Sequence, residues 1–556
     1  MIDVAEPVTG ISVAPTIVQA EVSHGGQLDR GGSSLPATVL LRLDRELNVL
    51  DDQGASLGRL PEYLERHCER VIPGLCVSGR AAADALSGFL TETGLEDAFI
   101  VSSDPDLVAR VRKAVPLVRG VIDLRKRAGL PPQAIREAAG AALARVVLLP
   151  GAEGTRKRVE ALQRLLLSVW ISDDQPQDGV PAAARQFNLV ASGANGIVTA
   201  DPDGAARLLG SAFPRDAVSL VRKPFVIGHR GVPSLAPENT LVGARIAFDQ
   251  GADMIENDVH LTRDGIVVIH HDDTLERTTT GEGALRDHTY TQLSSLLANR
   301  QFPDEYPAAR IPQLREYLDS FMEHDMVHVI ELKSPDPEVV RQTVALLREA
   351  GAESQAVFIS FHPRQLQVLR ELLPGASAGL LTGGQVDANS PLQSVRRVLE
   401  AVQPLAATYH PRATGITSSF LEAARHRGIT TWPWTIRDPD SFIDLFLAGV
   451  NGITTDYSQW ASDWICSVET PVEQVIPVGQ TVRLSATAKH YGQRGSEVEP
   501  EVVTIHGHEL VSVAGAEITG VRPGEAWYAL RCWHEVAPGR GYFMSSAAAR
   551  LRVSAD

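Results

Sequence analysis

The sequence has little of what would place a protein quickly, and each shortage excludes something. It holds four cysteines in 556 residues. Cys68, Cys76, Cys466 and Cys532 have no metal-ligand spacing, which rules out a zinc ribbon or a disulfide-dense scaffold. They lie in apolar or strand-like stretches where buried thiols are common, so free thiols are expected rather than a Cys466–Cys532 or Cys68–Cys76 bridge. No run of about 18 apolar residues occurs, which excludes a membrane-spanning helix. The start, Met1-Ile2-Asp3-Val4-Ala5-Glu6, lacks a basic and then apolar leader, so a cytoplasmic location is expected for the sequence as written. An excess of cations is also missing. The net charge is -16 and no Lys/Arg cluster appears, leaving no footprint for nucleic acid.

What remains is the composition of a folded protein, 44% apolar and 22% charged, on a chain too long for one core and sized for two to four domains. Self-comparison divides it. Ala98 to Pro105 matches Ala356 to Pro363 in character, Gly193-Ala194-Asn195-Gly196-Ile197 matches Gly449-Val450-Asn451-Gly452-Ile453, and Arg59-Leu60-Pro61 echoes Arg310-Ile311-Pro312. Three echoes in one order predict two homologous units, residues 16–222 and 223–463. Short β-branched runs such as Val267 to Ile269, Val327 to Leu332 and Gly452 to Thr455 alternate with helical periodicity, which indicates a parallel sheet with crossover helices. No Gly-x-Gly-x-x-Gly turn supports an open doubly wound sheet, and polar residues recur at strand ends. The predicted fold is therefore α/β, two TIM (β/α)8-type barrels in tandem. After Trp464 the pattern turns to period-two alternation with Gly/Pro turns, as in Pro477-Val478-Gly479-Gln480-Thr481-Val482. Residues 467–556 are expected to form an all-β, immunoglobulin-like sandwich.

The second unit carries the chemistry. Glu256 and Asp258 are one residue apart, so on a strand they share a face, and at the C-terminal end of a barrel strand both carboxylates point into the mouth. Glu331 offers a third oxygen ligand, and three carboxylates suit Mg²⁺ or Ca²⁺. A lone Glu-x-Asp is more often a solvated strand end, but these lie within apolar runs where unpaired carboxylates are costly. His229 and His271 sit near strand ends and can serve as base and acid near neutral pH. Either histidine alone is more often structural. Together, beside a carboxylate cluster, they point to a site. His270 should face the other way. Arg230 and Lys333 supply positive charge for a phosphodiester and its transition state.

These residues form a longer pattern: His229-Arg230-Gly231, Pro237-Glu238-Asn239-Thr240, Glu256-x-Asp258, Thr262-Arg263-Asp264-Gly265, His271-Asp272-x-Thr274-Leu275-x-Arg277-Thr278-Thr279, Glu331-x-Lys333, Trp434-Thr435 and Gly449-Val450-x-Gly452-Ile453-Thr454-Thr455-Asp456. In this order, over residues 224–460, they resemble the glycerophosphodiester phosphodiesterase family. The resemblance implies a TIM barrel in which Glu256, Asp258 and Glu331 hold one divalent metal, Mg or Ca. It implies His229 and His271 as the acid/base pair, with Arg230 and Lys333 on phosphate. Glu238, Asn239 and Trp434 complete the expected substrate site, and residues 280–310 resemble the family's insertion at the substrate entrance. The implied reaction hydrolyses a glycerophosphodiester to glycerol phosphate and an alcohol through a cyclic phosphate. A lysophospholipase D or sphingomyelinase-D-like activity on the same barrel is one alternative, and a non-catalytic envelope-binding scaffold is another. The expected partner is a small-molecule substrate, with no nucleic acid, and homo-oligomer contacts through the first barrel or the last module are open.

The first unit lacks this set. His24-Gly25-Gly26 lacks the arginine of the His-Arg-Gly turn, Arg42-x-Asp44 stands where Glu-x-Asp is expected, Asn48 to Asp52 has no histidine, and Gly74 to Ser78 has neither glutamate nor lysine. It is expected to be a degenerate, non-catalytic barrel kept for packing, oligomerisation or substrate presentation. The last module resembles bacterial immunoglobulin-like repeats, which would suit an extracellular or cell-envelope location.

Overall fold

A computed structural model describes residues 1–4, 9–22, 36–67, 69–173, 179–213, 215–384 and 386–555. Eight parallel strands form the first barrel: Thr16–Gln19, Thr38–Leu43, Ile72–Cys76, Phe99–Ser102, Arg119–Asp123, Val146–Leu149, Ser168–Ser172 and Gly196–Thr199. The first strand pairs with both the second and the last, so the sheet closes and an open doubly wound sheet is excluded. Crossover helices start where the sequence supplies caps. Asp104 accepts from the Asp106 N–H ahead of Pro105–Ala114, and Asp201 accepts from the Gly204 N–H ahead of Pro202–Ala212, each with Pro at the first position, where no N–H is required.

The second barrel has seven regular parallel strands, Phe225–Gly228, Met254–Leu261, Val327–Leu332, Ala356–Ser360, Ala378–Thr382, Thr408–Pro411 and Gly452–Thr455. Residues 430–436 fill the eighth place. Trp432 and Trp434 donate to the Tyr409 and Pro411 carbonyls at 2.9 and 3.0 Å, and Ile436 donates to Thr454 at 2.9 Å. Pro433 has no N–H, so the ladder is interrupted there. The run Val267–Ile269 is not a barrel strand. It returns antiparallel along Met254–Leu261 as a short hairpin, and its three apolar residues do not reveal strand direction.

The two barrels share register. Thr16 pairs with Gly196 as Phe225 pairs with Gly452. Asn195 bonds Val169 through both backbone and side chain, as Asn451 bonds Thr431. Trp170 and Trp432 then occupy matching places, each over a glycine whose Cβ would meet the indole at 2.5 Å, Gly196 and Gly452 respectively. Register also aligns Ser102 with Ser360, as the sequence echo has it. It corrects the third echo: Arg59 matches Gln313, and the helices Leu60–His67 and Leu314–Phe321 start in step.

The barrels pack through their N-terminal ends, the ends away from the mouths. Leu165 and Leu166, just before a first-barrel strand, join Phe225, Met254, Val327 and Trp432 in the second barrel's interior. Arg427, just before residues 430–436, crosses back to Asp97 of the first barrel at 2.8 Å, and a Cβ on Gly140 would strike the Pro374 carbonyl at 2.1 Å.

The C-terminal part is all-β, from Ile465–Glu469 to Ala549–Ser554. Its largest sheet also takes in Ser219–Leu220 from the link between the barrels, pairing parallel with Arg540–Ser545. It is welded to both barrels, through Tyr491 and Tyr542 around Phe446 on one side and Trp527 in the first barrel's core on the other. Cys76, Cys466 and Cys532 are free thiols, and Cys68 lies outside the described residues. Among those residues, no helix is long and apolar enough to cross a membrane.

Candidate active site

The mouth of the second barrel gathers the acidic residues first. Glu256 and Asp258 project from one face of Met254–Leu261, and Glu331 lies directly across from Asp258 in the parallel register. One oxygen from each lies within 4.8 Å of the others, and all three residues are buried. Burial and the neighbouring carboxylates push Glu256 well above its ordinary pKa and Glu331 up to about 7. Asp258 goes down instead, since Arg230 and Lys333 outweigh its burial. Oε1 of Glu256 and Oδ1 of Asp258 have no hydrogen-bond partner among the described residues. Buried oxygens that repel one another and accept no hydrogen bond fit a hard divalent cation.

Two left-handed residues frame this cluster. Arg230 has φ 52° and Asn239 φ 55°, conformations costly for side chains with a Cβ, and the Asn239 N–H bonds the Arg230 carbonyl at 2.9 Å. The strained geometry lets the Arg230 N–H reach Glu256 at 2.9 Å and the Asn239 amide reach Asp258 at 2.9 Å. The Asn239 amide thus holds a carboxylate. The Glu238 oxygens are taken by Arg230 at 2.9 Å and by Arg277 at 2.7 and 2.8 Å.

Each histidine is backed by an aspartate. His229 leaves the first strand with its N–H on the Thr455 carbonyl and its Nδ1 2.5 Å from Asp456. Burial lowers its pKa despite that carboxylate. His271 sits just past the antiparallel hairpin, its Nδ1 2.5 Å from Asp272, which Arg277 holds in turn at 2.5 Å. Lys333 stays an ammonium, because Asp258 and Glu331 outweigh its burial, and it stands 3.1 Å from His271 Nε2. An ammonium can only donate, so His271 accepts there at Nε2 and its Nδ1–H donates to Asp272. His270 turns away, 3.0 Å from the Thr274 carbonyl. Trp434 is half-buried, donates to the His410 carbonyl and meets the exposed Phe361 edge-on at 5.3 Å, giving the mouth one apolar corner.

Asp272, Arg277, Asp456 and Arg437, whose guanidinium holds the second oxygen of Asp456, were not expected as site residues. The first three stand inside the motifs quoted above. Arg437 has no such signal.

Register places different residues at the matching points of the first barrel. Ala20 bonds Thr199 as His229 bonds Thr455, so Ala20, not His24, holds that position; His24 lies outside the described residues. Leu40, Arg42 and Cys76 stand where Glu256, Asp258 and Glu331 stand, a shift of two from the expected Arg42-x-Asp44. The places of Arg230 and Asp258, an ion pair 3.4 Å long, are thus held by Glu21 and Arg42 with the charges reversed, and Glu21 pairs with Arg125.

Comparison with known proteins agrees with this geometry. Residues 229–459 match the model of the glycerophosphoryl diester phosphodiesterase family. The glycerophosphodiester phosphodiesterase of Caldanaerobacter subterraneus subsp. tengcongensis is 32% identical over 237 residues, 42% of this chain and 94% of that protein. The chain belongs to the glycerophosphoryl diester phosphodiesterase family. Another member, the glycerophosphodiester phosphodiesterase of Bacillus subtilis, is 29% identical over 247 residues, 42% of this chain and 83% of that protein. Among solved structures, an Oleispira antarctica phosphodiesterase in complex with the product sn-glycerol-3-phosphate is 29% identical, covering 43% of this chain and 94% of its own, with a TM-score of 0.38. The family match falls on the second barrel, the part of the chain in which the carboxylates and both histidines lie.

Proposed function

We propose that the second barrel hydrolyses glycerophosphodiesters to glycerol phosphate and an alcohol, with the first barrel a catalytically silent duplicate. The observation that carries the reading is the buried Glu256–Asp258–Glu331 cluster with its two aspartate-backed histidines in one mouth. Glu256, Asp258 and Glu331 would hold one divalent cation, Mg or Ca, which lowers the pKa of a nearby hydroxyl and offsets phosphoryl charge when bound. Arg230 and Lys333 bind the phosphate oxygens. One histidine removes the proton of the glycerol hydroxyl next to the phosphorus. That oxygen bonds phosphorus, the bond to the alcohol oxygen breaks, and the other histidine protonates the departing alcohol. Water then opens the cyclic phosphate, its proton and the returning one passing through the same histidines. The aspartates keep each imidazole in one tautomer and orientation.

Among the described residues, Ala20, Leu40 and Arg42 at the points matching His229, Glu256 and Asp258 offer neither a proton carrier nor an oxygen ligand, which supports silence there. Glycerol phosphate release from glycerophosphocholine is expected to need added Mg²⁺ or Ca²⁺, to stop with EDTA, and to fall by at least about 100-fold in His229→Ala. Turnover indifferent to both changes would refute the mechanism.

A further inference from the structure

A cavity of about 290 Å³ opens beside His229, lined by Arg230, Ser234, Glu238, Arg277, Gln301 and Arg437 among others. What it offers a visitor follows from counting donors and acceptors. The Glu238 oxygens are taken by Arg230 and Arg277, and those of Asp456 by His229 and Arg437. Arg277 commits its Nε and both terminal nitrogens to Asp272 and Glu238. Arg437 commits only its Nε, to Asp456. Its terminal nitrogens make no hydrogen bond among the described residues, and its side chain is 58% exposed. Each carboxylate oxygen of the cavity thus already has a partner, and with Arg230 placed on the phosphate and Arg277 held at all three nitrogens, the terminal nitrogens of Arg437 are the exposed, uncommitted cationic edge of the cavity.

We propose that this cavity receives the departing head group of the diester and that Arg437 selects head groups bearing a carboxylate. This rests on the phosphodiesterase reading above and makes His229 the histidine that protonates the leaving alcohol. A planar guanidinium whose two terminal nitrogens form one free edge matches a carboxylate in bidentate fashion, which an ammonium or a neutral hydroxyl does not. The polar cavity also lies apart from the Phe361–Trp434 corner, which contributes no lining residue to it.

Glycerophosphoserine and glycerophosphoethanolamine differ by one carboxylate, so their kcat/KM ratio isolates the contact. The wild-type chain is expected to prefer the serine diester by about tenfold, the size of a partly exposed charge-assisted bond. In Arg437→Gln the ratio should collapse toward one, mainly through KM for the serine diester, and Arg437→Lys should restore part of it. Arg437 also steadies Asp456, and a loss through that contact lowers kcat for both substrates alike without moving the ratio. A ratio unchanged between wild type and Arg437→Gln overturns the assignment while leaving the phosphodiesterase reading intact. Failure of the wild type to turn over either diester removes both.

Discussion

His229 and Asp456 come from opposite ends of the second barrel sequence, 227 residues apart, yet stand 2.5 Å apart. Closure of the barrel does this, since the first and last strands pair side by side. The carboxylate fixes the imidazole tautomer and favours the charged form after proton uptake, whereas burial opposes it. Asp456→Asn keeps the shape and removes the charge, so kcat is expected to fall about 10- to 100-fold with KM little changed. Steady-state kinetics on glycerophosphocholine would check this, and a change confined to KM would assign Asp456 to substrate contact instead. The catalytic types and spacings at this scale are readable from the motifs. The left-handed backbone of Arg230 and Asn239 is not, because it is imposed by the carboxylates these residues must reach.

At the scale of elements, the strands of the second barrel carry buried histidines that do no evident chemistry. His328, on Val327–Leu332, is fully buried against Tyr317 and Phe321, with neither ring nitrogen partnered among the described residues. Burial pushes it down to about 4. His410, on Thr408–Pro411, stacks on Trp432 and is pushed down by burial to about 3. Between those values and the ordinary 6.5 the unfolded chain binds protons that the folded chain refuses. Stability is therefore full above pH of about 6.5 and declines as pH falls, by about 2 kcal/mol per histidine at pH 5. Urea unfolding at pH 7 and pH 5 should show this loss, and His328→Leu should reduce it by about 2 kcal/mol; an unaltered pH difference in the variant would show that His328 titrates normally. Strand and helix identities are legible here from β-branched runs and caps. The antiparallel return of Val267–Ile269 and the Pro433 interruption are not, since pairing direction is decided by neighbours distant in sequence.

Across the whole molecule, the barrels meet through their N-terminal ends, and the join carries buried charge. Asp97 accepts from Arg427 at 2.8 and 3.1 Å and lies 2.9 Å from Arg119. Although burial alone would raise it, the two guanidiniums hold the Asp97 carboxyl down at about 2. Removing one partner of such a group leaves a charge uncompensated, so Arg427→Ala is expected to cost about 3–5 kcal/mol. The same change should resolve unfolding into more than one transition as the barrels part, observable by calorimetry. A single transition with the wild-type midpoint would mean that the join contributes little. The first barrel sits against the end of the second barrel opposite the mouth that holds the carboxylates.

By itself, the sequence determined two α/β units, an all-β end, the metal-ligand and histidine candidates and the family. Those properties rest on local periodicity and on residue types within a few positions of each other, which survive in a linear string. The tertiary structure alone decided that Glu238 and Asn239 orient charged groups, that Asp272 and Asp456 back the histidines, that Arg437 faces the cavity, and that the first barrel matches through Leu40 and Arg42. Apart from His271–Asp272 and Arg230–Glu238, which are close in sequence, these depend on strand register, on barrel closure or on which end of a barrel is covered. Such contacts join residues 19 to 227 positions apart, and no local pattern encodes them.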